Sequence, residues 1–401
     1  MKIVVTGLGV LNCMGKNKDD FWKRLCNGES GLKTVYPDEV NENNIMQVGG
    51  IVHDEDQMLT DSGYTRTTQL AMVALDEAIR DAGLAIDDSN KERIGISLGT
   101  SIGGYQEVEK YQRSLKNCSK YDPENSIQVY PAYTAHVIAG KYGIEGPLVT
   151  NGAACAASSN SFGNALALMR GGKCDVVITG GCDPVSYMSQ CGFVSLKALA
   201  KELCRPFNKD RKGILIGEAA AFLVLETYEH AKARNARIYC EVAGYGCSND
   251  AYHTTAPDPK AGGAIRSINR ALNDAGIKAC DIDYINMHGT GTKLNDVMEI
   301  FALDQIWGEQ AKNVHFSSIK GSVGHTLGCA GAVEALASVL TLYNEAIPPT
   351  ALLEEPIAEG YSVVKDKTIP KKMKFAMSNS FAFAGNSSCI IFGKYEEKSE
   401  G

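Results

Sequence analysis

Alternating strand and helix patterns predict an α/β fold, and two further observations predict that it is built twice. The chain has 401 residues, more than one hydrophobic core usually serves. Its two parts also share a pattern: a helix closing on DAG, then a strand, then a glycine-rich turn carrying polar residues. The pattern appears around IRDAGLAIDD and again around LNDAGIKACDID. Halves are therefore expected at 1–245 and 246–401, with the seam near 245–255.

The elements follow in order. KIVVTG (2–7) has the β-branched run of a strand ended by glycine. TTQLAMVALDEAIRDAG (67–83) carries apolar residues at helical spacing and stops at a glycine. RIGISLGT (93–100) reads as a strand, SSNSFGNALALMRGG (158–172) as a helix, and CDVVITGG (174–181) and AAFLVLE (220–226) as strands. The second series opens with a helix, GAIRSINRALNDAG (263–276), and a strand, DYINMHG (283–289). A helix near 295–308, a strand in VHFSSIKG (314–321), a helix near 330–345 and two closing strands, FAMSNSF and SCIIFGKY, complete it.

Composition narrows the class. Hydrophobic residues at 44% and charged residues at 22% suit a folded, soluble enzyme. A net charge of −7 argues against broad nucleic-acid binding, which needs a basic face. No uninterrupted apolar run approaches the length of a membrane span, and the first residues read as strand and turn rather than as a signal peptide. The 13 cysteines show no CxxC or Cys/His metal spacing, so they are expected to be reduced thiols in a cytoplasmic protein. VTGLGV lacks the third glycine of a dinucleotide fingerprint.

Four stretches carry the candidate chemistry. In TNGAACAASSNSFGNALALMRGG (150–172), Cys155 stands where a helix rich in small residues begins. The helix dipole there favours a thiolate, and a free backbone amide can donate to an oxyanion. An arbitrary cysteine among small residues is more often a packing thiol. NMHGTGTKLNDVMEI (286–300) puts His288 at a strand end, Thr290 and Thr292 in a tight turn and Glu299 inward on the next helix. SSIKGSVGHTLGCAGAVEA (317–335) places Lys320 and His325 among glycines between strand and helix. SNSFAFAGNSSCIIFGKY (378–395) alternates phenylalanine with small residues, as a flap over a pocket would. A lone histidine, a surface lysine or a hairpin turn explains each of these singly. Together, one cysteine, two histidines, a lysine and a glutamate on turns at strand ends suit thioester chemistry.

Over essentially its whole length the chain resembles the β-ketoacyl-acyl carrier protein synthases, in particular the FabF-like elongating branch. VVTGLGVLNCMGKNKDDFWKRLCNGESGL, ACAAS, RPFNKDRKGILIGEAAAFLVLE, AGYGCSNDAYHTTAP, HGTGT, SIKGSVGHTLGCAGAVE and NSFAFAGNSS stand in family order and spacing. The resemblance implies a thiolase-type fold of five layers, αβαβα, made of two similar halves and active as a homodimer or close heterodimer. It implies that Cys155 is the acylated nucleophile. His288 and His325 would promote decarboxylation of a malonyl extender and stabilise the enolate, with Lys320 supporting them and Glu299 pairing with Lys320. The amides of Cys155 and Phe383 would form the oxyanion hole, Phe383 would gate, and Thr290 and Thr292 would contact the phosphopantetheine arm of acyl carrier protein. No metal or redox cofactor is implied.

Two features depart from the family or refine it. The usual GFGGTN flap reads AFAGNS, with Ala382 and Ala384 flanking Phe383, so a stiffer or differently shaped flap is expected. Val108 matches an acyl-pocket position; with Val129 and the polar neighbours Tyr105, Gln106 and Gln128, it suits an unsaturated or polyketide chain. Carrier proteins are acidic, and Arg66, Arg205 and Arg211 are the candidate basic rim. Two other readings stand beside the condensing enzyme. A non-catalytic chain-length partner typically lacks the cysteine that this chain keeps. A coenzyme A-dependent thiolase needs a second catalytic cysteine near the C-terminal loop, whereas Cys389 lies in the following strand.

Overall fold

A computed structural model describes residues 1–34, 48–53, 58–59 and 63–396. Among these residues ten strands form one sheet. The first half contributes β1 (Ile3–Asn12), β2 (Ile94–Gly99), β3 (Leu148–Asn151), β4 (Val176–Asp183) and β5 (Ala219–Thr227). The second contributes β6 (Cys240–Asn249), β7 (Tyr284–Asn286), β8 (His315–Ser317), β9 (Phe375–Phe381) and β10 (Asn386–Lys394). Their spatial order is β8-β7-β9-β10-β6-β1-β5-β4-β2-β3.

That order is a duplication. β2 runs parallel to both β3 and β4, β4 antiparallel to β5, and β5 antiparallel to β1. β7 likewise runs parallel to β8 and β9, β9 antiparallel to β10, and β10 antiparallel to β6. Val4 and Val5 of β1 pair with Glu241 and Cys240 of β6 and join the halves. The expected boundary at 245/246 therefore cuts through β6. The seam lies before Cys240, because the glycine-rich GYGCSN run is itself a strand rather than a turn.

Helices fill the remaining layers. In the first half these include α1 (Arg66–Ala82), α2 (Gln106–Asn117), α3 (Pro131–Tyr142), α4 (Ala157–Arg170) and α5 (Tyr187–Ser195). In the second they are α6 (Gly262–Ala275), α7 (Lys293–Trp307) and α8 (Ala330–Asn344). α1 and α3 pack on one outer face, α6 and α7 on the other, and α4 and α8 lie between the half-sheets. This is the five-layered thiolase-like arrangement.

The repeated glycines have a packing role. A Cβ on Gly9 would sit 2.0 Å from the Ala74 carbonyl of α1, and one on Gly246 would sit 2.1 Å from the Ser267 carbonyl of α6. VTGLGV is thus a strand against which a helix closes, and the second half repeats the device. The stretch Leu327–Asn344 is long and apolar enough to span a membrane, yet 89% of it is buried in the protein. It is a core helix, apolar all round because protein surrounds it.

Candidate active site

The chain reverses direction just before α4, through a single 3₁₀ turn, Ala154–Ala156, with Ala154 at φ 47°. Cys155 occupies that turn and is only 7% exposed. α4 can pass close to α8 because both are lined with small residues. Ser158 Oγ accepts the Ala332 N–H at 2.9 Å, and a Cβ on Gly331 would sit 1.9 Å from Ser159 Oγ. Burial pushes the Cys155 thiol up to about 12, with the Lys320 ammonium pulling the other way. The dipole-stabilised thiolate expected from sequence therefore meets an opposing desolvation cost.

A cavity of about 580 Å³ reaches Cys155 and is also lined by His288, His325, Thr290, Thr292 and Phe383. Six candidates from distant parts of the sequence thus face one space. The two imidazole rings lie 5.5 Å apart, centre to centre, at 86°. Burial and the nearby Lys320 charge hold both histidines well below the usual imidazole range, so both are neutral at pH 7.

Their tautomers follow from their partners. The Leu327 N–H donates to His325 Nδ1 at 3.1 Å. Lys320 Nζ lies 3.2 Å from His288 Nδ1 and donates to the His288 carbonyl at 2.5 Å. An ammonium has only protons to offer, so each Nδ1 is an acceptor and each ring carries its proton on Nε2.

Lys320 begins the helical turn Lys320–Val323 and is fully buried. Its carboxylate partner is Glu334 of α8, in an ion pair buried on both sides. This corrects the expected Lys320–Glu299 pair. Glu299 lies on the inner face of α7 and accepts the N–H groups of His288 at 2.9 Å and Gly289 at 2.6 Å, with the Asn295 side-chain amide at 2.7 Å. It fixes the backbone that carries His288, and burial pushes it up to about 8. A single charged residue inside the mostly apolar run GAVEALASVL demands a buried partner, and that signal in the sequence could have identified Glu334.

Phe193 and Phe381, also missed from sequence, wall the cavity with Phe383. The Phe193 ring lies 5.7 Å from that of Phe383 and 6.4 Å from that of His325, and Phe381 is 6.2 Å from His288. Asp183, at the end of β4, accepts from Thr100 Oγ1 at 2.5 Å and the Gly328 N–H at 2.6 Å. It ties the turn after β2 to the turn before α8. The hydroxyls of Thr290 and Thr292 lie 2.9 Å apart, and Thr292 caps α7 by accepting from the Asn295 N–H at 3.3 Å.

The flap is shaped differently from the expectation in one respect. Ala382 is extended at φ −120°, whereas Ala384 sits in the left-handed region at φ 58°. Only Ala384 therefore carries the strain of replacing glycine. The Thr254 carbonyl accepts the Ala384 N–H at 2.8 Å, and Asn249 Nδ2 donates to the Ala384 carbonyl at 2.7 Å, so the flap is pinned from both sides.

Other expectations fall outside this cavity. Val108 and Val129 do not line it; they are half-buried on α2 and the 3₁₀ turn Pro123–Val129. Gln106 Nε2 donates to the Val185 carbonyl at 3.0 Å, and Gln128 accepts the Thr65 N–H at 2.9 Å. Their polarity is spent on backbone groups rather than offered to an acyl chain. Arg66 and Arg211 are also internal braces, whereas Arg205 makes its ion pairs at the surface. Arg66 holds buried Glu218 and the Val52 carbonyl, Arg211 holds the Thr292 and Lys293 carbonyls at 3.0 Å, and Arg205 pairs with Asp210 and Glu354.

Two family models cover the chain: "Beta-ketoacyl synthase, N-terminal domain" over residues 1–231 and "Beta-ketoacyl synthase, C-terminal domain" over 239–354. The chain belongs to the β-ketoacyl synthase family. It is 34% identical to a 3-oxoacyl-[acyl-carrier-protein] synthase 2 of Staphylococcus aureus (strain N315), over 98% of this chain and 99% of that protein. The ishigamide ketosynthase/chain length factor structure superposes with a TM-score of 0.92 at 33% identity, over 98% of this chain and 99% of that one. A type II PKS acyl-carrier protein in complex with its ketosynthase matches at TM-score 0.90 and 29% identity, over 98% and 99%. The family models meet between 231 and 239, which agrees with a seam before β6.

Proposed function

We propose that this β-ketoacyl synthase joins carrier-bound acyl units by decarboxylative Claisen condensation, with Cys155 as the acyl-bearing nucleophile. Cys155 Sγ attacks the thioester of an acyl carrier protein; the carrier thiol leaves with the proton that Cys155 gives up. Burial holds Cys155 as a thiol at neutral pH, so its proton passes to the departing carrier thiolate as the thioester opens; neither imidazole takes it, since each carries its proton on Nε2 and accepts a hydrogen bond at Nδ1. Malonyl carrier protein then enters. Its C–C bond to the carboxylate breaks, carbon dioxide leaves, and the electron pair forms an enolate. The enolate oxygen accepts hydrogen bonds from Nε2–H of His288 and His325, and its carbon attacks the Cys155 thioester. A β-ketoacyl chain two carbons longer leaves on the carrier, the C–S bond to Cys155 breaks, and the released thiolate takes a proton from water to restore the thiol.

The observation that carries this reading is the pair of neutral imidazoles with fixed tautomers in the cavity that holds Cys155. Hydrogen-bond donors that carry no charge of their own stabilise developing negative charge without first quenching it by proton transfer. We assign Thr290 and Thr292, which line the cavity, to the phosphopantetheine arm, and the Cys155 and Phe383 amides to the thioester oxyanion. No metal or redox cofactor enters these steps.

We further place the protein in the cytoplasm, as 13 free thiols suit a reducing compartment. We propose a dimer, with itself or with a homologous subunit. Edge strand β3 carries exposed Leu148, and Tyr111, Leu115, Ile127 and Tyr130 are exposed on α2 and the neighbouring turn. Val108 and Val129 adjoin that surface, where a partner would close an acyl pocket over them. Retention of the cysteine, both histidines and the lysine opposes the non-catalytic reading. Incubation with acyl and malonyl carrier proteins tests the function: release of carbon dioxide with a β-ketoacyl carrier product supports it, and hydrolysis alone contradicts it.

A further inference from the structure

Five residues of the cavity lining are exposed, and they mark where it opens to solvent: Leu196, Lys197, Lys212, Lys293 and Leu294. Three lysines and two leucines make an unusual rim on a protein of net charge −7. None of these lysines has a carboxylate partner among the described residues. The acids on the cavity's other side are occupied: Asp250 accepts the Tyr252 and Asp258 N–H groups, and Asp258 accepts those of Lys260 and Gly262.

From Leu294 an apolar stripe continues outward along α7. Leu294 is 63% exposed, Val297 54% and Phe301 38%. Their spacing, i, i+3 and i+7, puts all three on one face of the helix. The opposite face buries Met298, Glu299, Ala302 and Leu303. α7 thus shows apolar side chains on its outer side as well, although only the inner side packs against the protein. Its first turn carries Lys293 and helps to form the rim, so the stripe runs from the cavity mouth onto open surface.

We propose that this outer face of α7 is the ledge on which the acyl carrier protein seats, with the rim lysines holding its acidic surface and Leu294, Val297 and Phe301 covering its apolar one. The proposal rests on the carrier-dependent reading above and adds where the carrier binds and by what chemistry. Charge complementarity selects this occupant. A carrier's prosthetic arm must enter at this mouth, its body must then cover the rim, and an acidic body meets three lysines there that have no carboxylate partner among the described residues. The apolar stripe supplies a contact that salt does not screen. Of the arginines expected as a rim, Arg66 and Arg211 are committed inside the protein and Arg205 is already paired with Asp210 and Glu354 at the surface.

The test compares two donors of one acyl chain, chosen as the chain wild type accepts fastest: an acyl-loaded type II carrier protein and the corresponding acyl-pantetheine. The variant is Val297→Ser with Phe301→Ser, two exposed positions outside the cavity; Val297→Ser alone serves if the pair perturbs folding. We expect KM for the carrier-borne donor to rise about tenfold, the loss of contact from two half-exposed apolar side chains. The rate with acyl-pantetheine stays at the wild-type value, and the carrier defect persists at high salt. An unchanged carrier KM, equal losses with both donors, or a defect that disappears at high salt overturns the proposal. So does a change in the protein's own association state with unchanged carrier KM, which assigns the face to a second copy of this chain. Failure of wild type with both donors indicts the condensing-enzyme reading instead.

Discussion

Replacing Lys320 with methionine tests the buried charge network beneath the two histidines. Lys320 is 1% exposed and Glu334 2%, and the ammonium serves three acceptors: the Glu334 carboxylate, the His288 carbonyl and His288 Nδ1. Lys320→Met leaves a buried carboxylate without its counter-ion, which costs about 3–5 kcal/mol. Burial already pushes Glu334 up to about 7 with the lysine present. Without the ammonium its folded value rises further above the unfolded one, so the penalty is largest at alkaline pH and shrinks as pH falls and the carboxyl takes up a proton. Removing the carboxylate as well, as Lys320→Met with Glu334→Leu, should recover much of the loss. Activity should not recover. His288 Nδ1 has no donor in either variant, its tautomer is no longer fixed, and decarboxylation should fall on the order of 10²-fold. Urea midpoints at pH 6 and pH 8, with carbon dioxide release from malonyl carrier protein, measure both effects. A double variant less stable than Lys320→Met would refute the charge argument, and full decarboxylation in either variant would refute the tautomer argument.

Three further outcomes follow from the same geometry. Because both histidines are held well below their ordinary value, the neutral form persists on acidification. Decarboxylation should therefore stay level between about pH 8 and pH 6, and a one-proton fall starting near pH 7 would show an imidazole titrating normally. With Cys155 pushed up to about 12, its alkylation by iodoacetamide should climb about tenfold per pH unit from about pH 7 to pH 10; a plateau inside that range contradicts the desolvation argument. In the flap, Ala384→Gly relieves a φ of 58° and should change stability by no more than about 1 kcal/mol, since the freer unfolded chain offsets the gain. Gly385→Ala would place a Cβ 2.0 Å from Asp250 Oδ1 at φ 74° and should lower the melting temperature clearly; equal effects of the two substitutions would show that the flap is not so constrained.

The periodic elements were legible in the sequence because their burial is regular. The helix expected over 67–83 spans Arg66–Ala82, and the strand expected over 220–226 spans Ala219–Thr227. β6 was hidden by its glycines, which resemble a turn until α6 is seen closing on them. Edge strand β3 is short and half-exposed, so it shows little apolar signal. In the site, the residues on glycine-rich turns stood out, and the structure brings Cys155, His288, His325, Thr290, Thr292 and Phe383 to one cavity. What the sequence hid was pairing between distant segments. Glu299 and Glu334 are both acids on inward helix faces, and only the crossing of α8 beneath Lys320 decides which one meets it. Arg66 and Arg211 misled for a related reason, since their side chains turn inward to backbone carbonyls.

The central claim is that the Cys155 sulfur takes up the acyl chain. Intact-protein mass spectrometry after incubation with a panel of acyl carrier proteins, followed by peptide mapping, tests it most directly. The account predicts a single acyl adduct on the peptide carrying Cys155 and none on Cys155→Ala. An adduct that survives in Cys155→Ala, or maps to another residue, would contradict it.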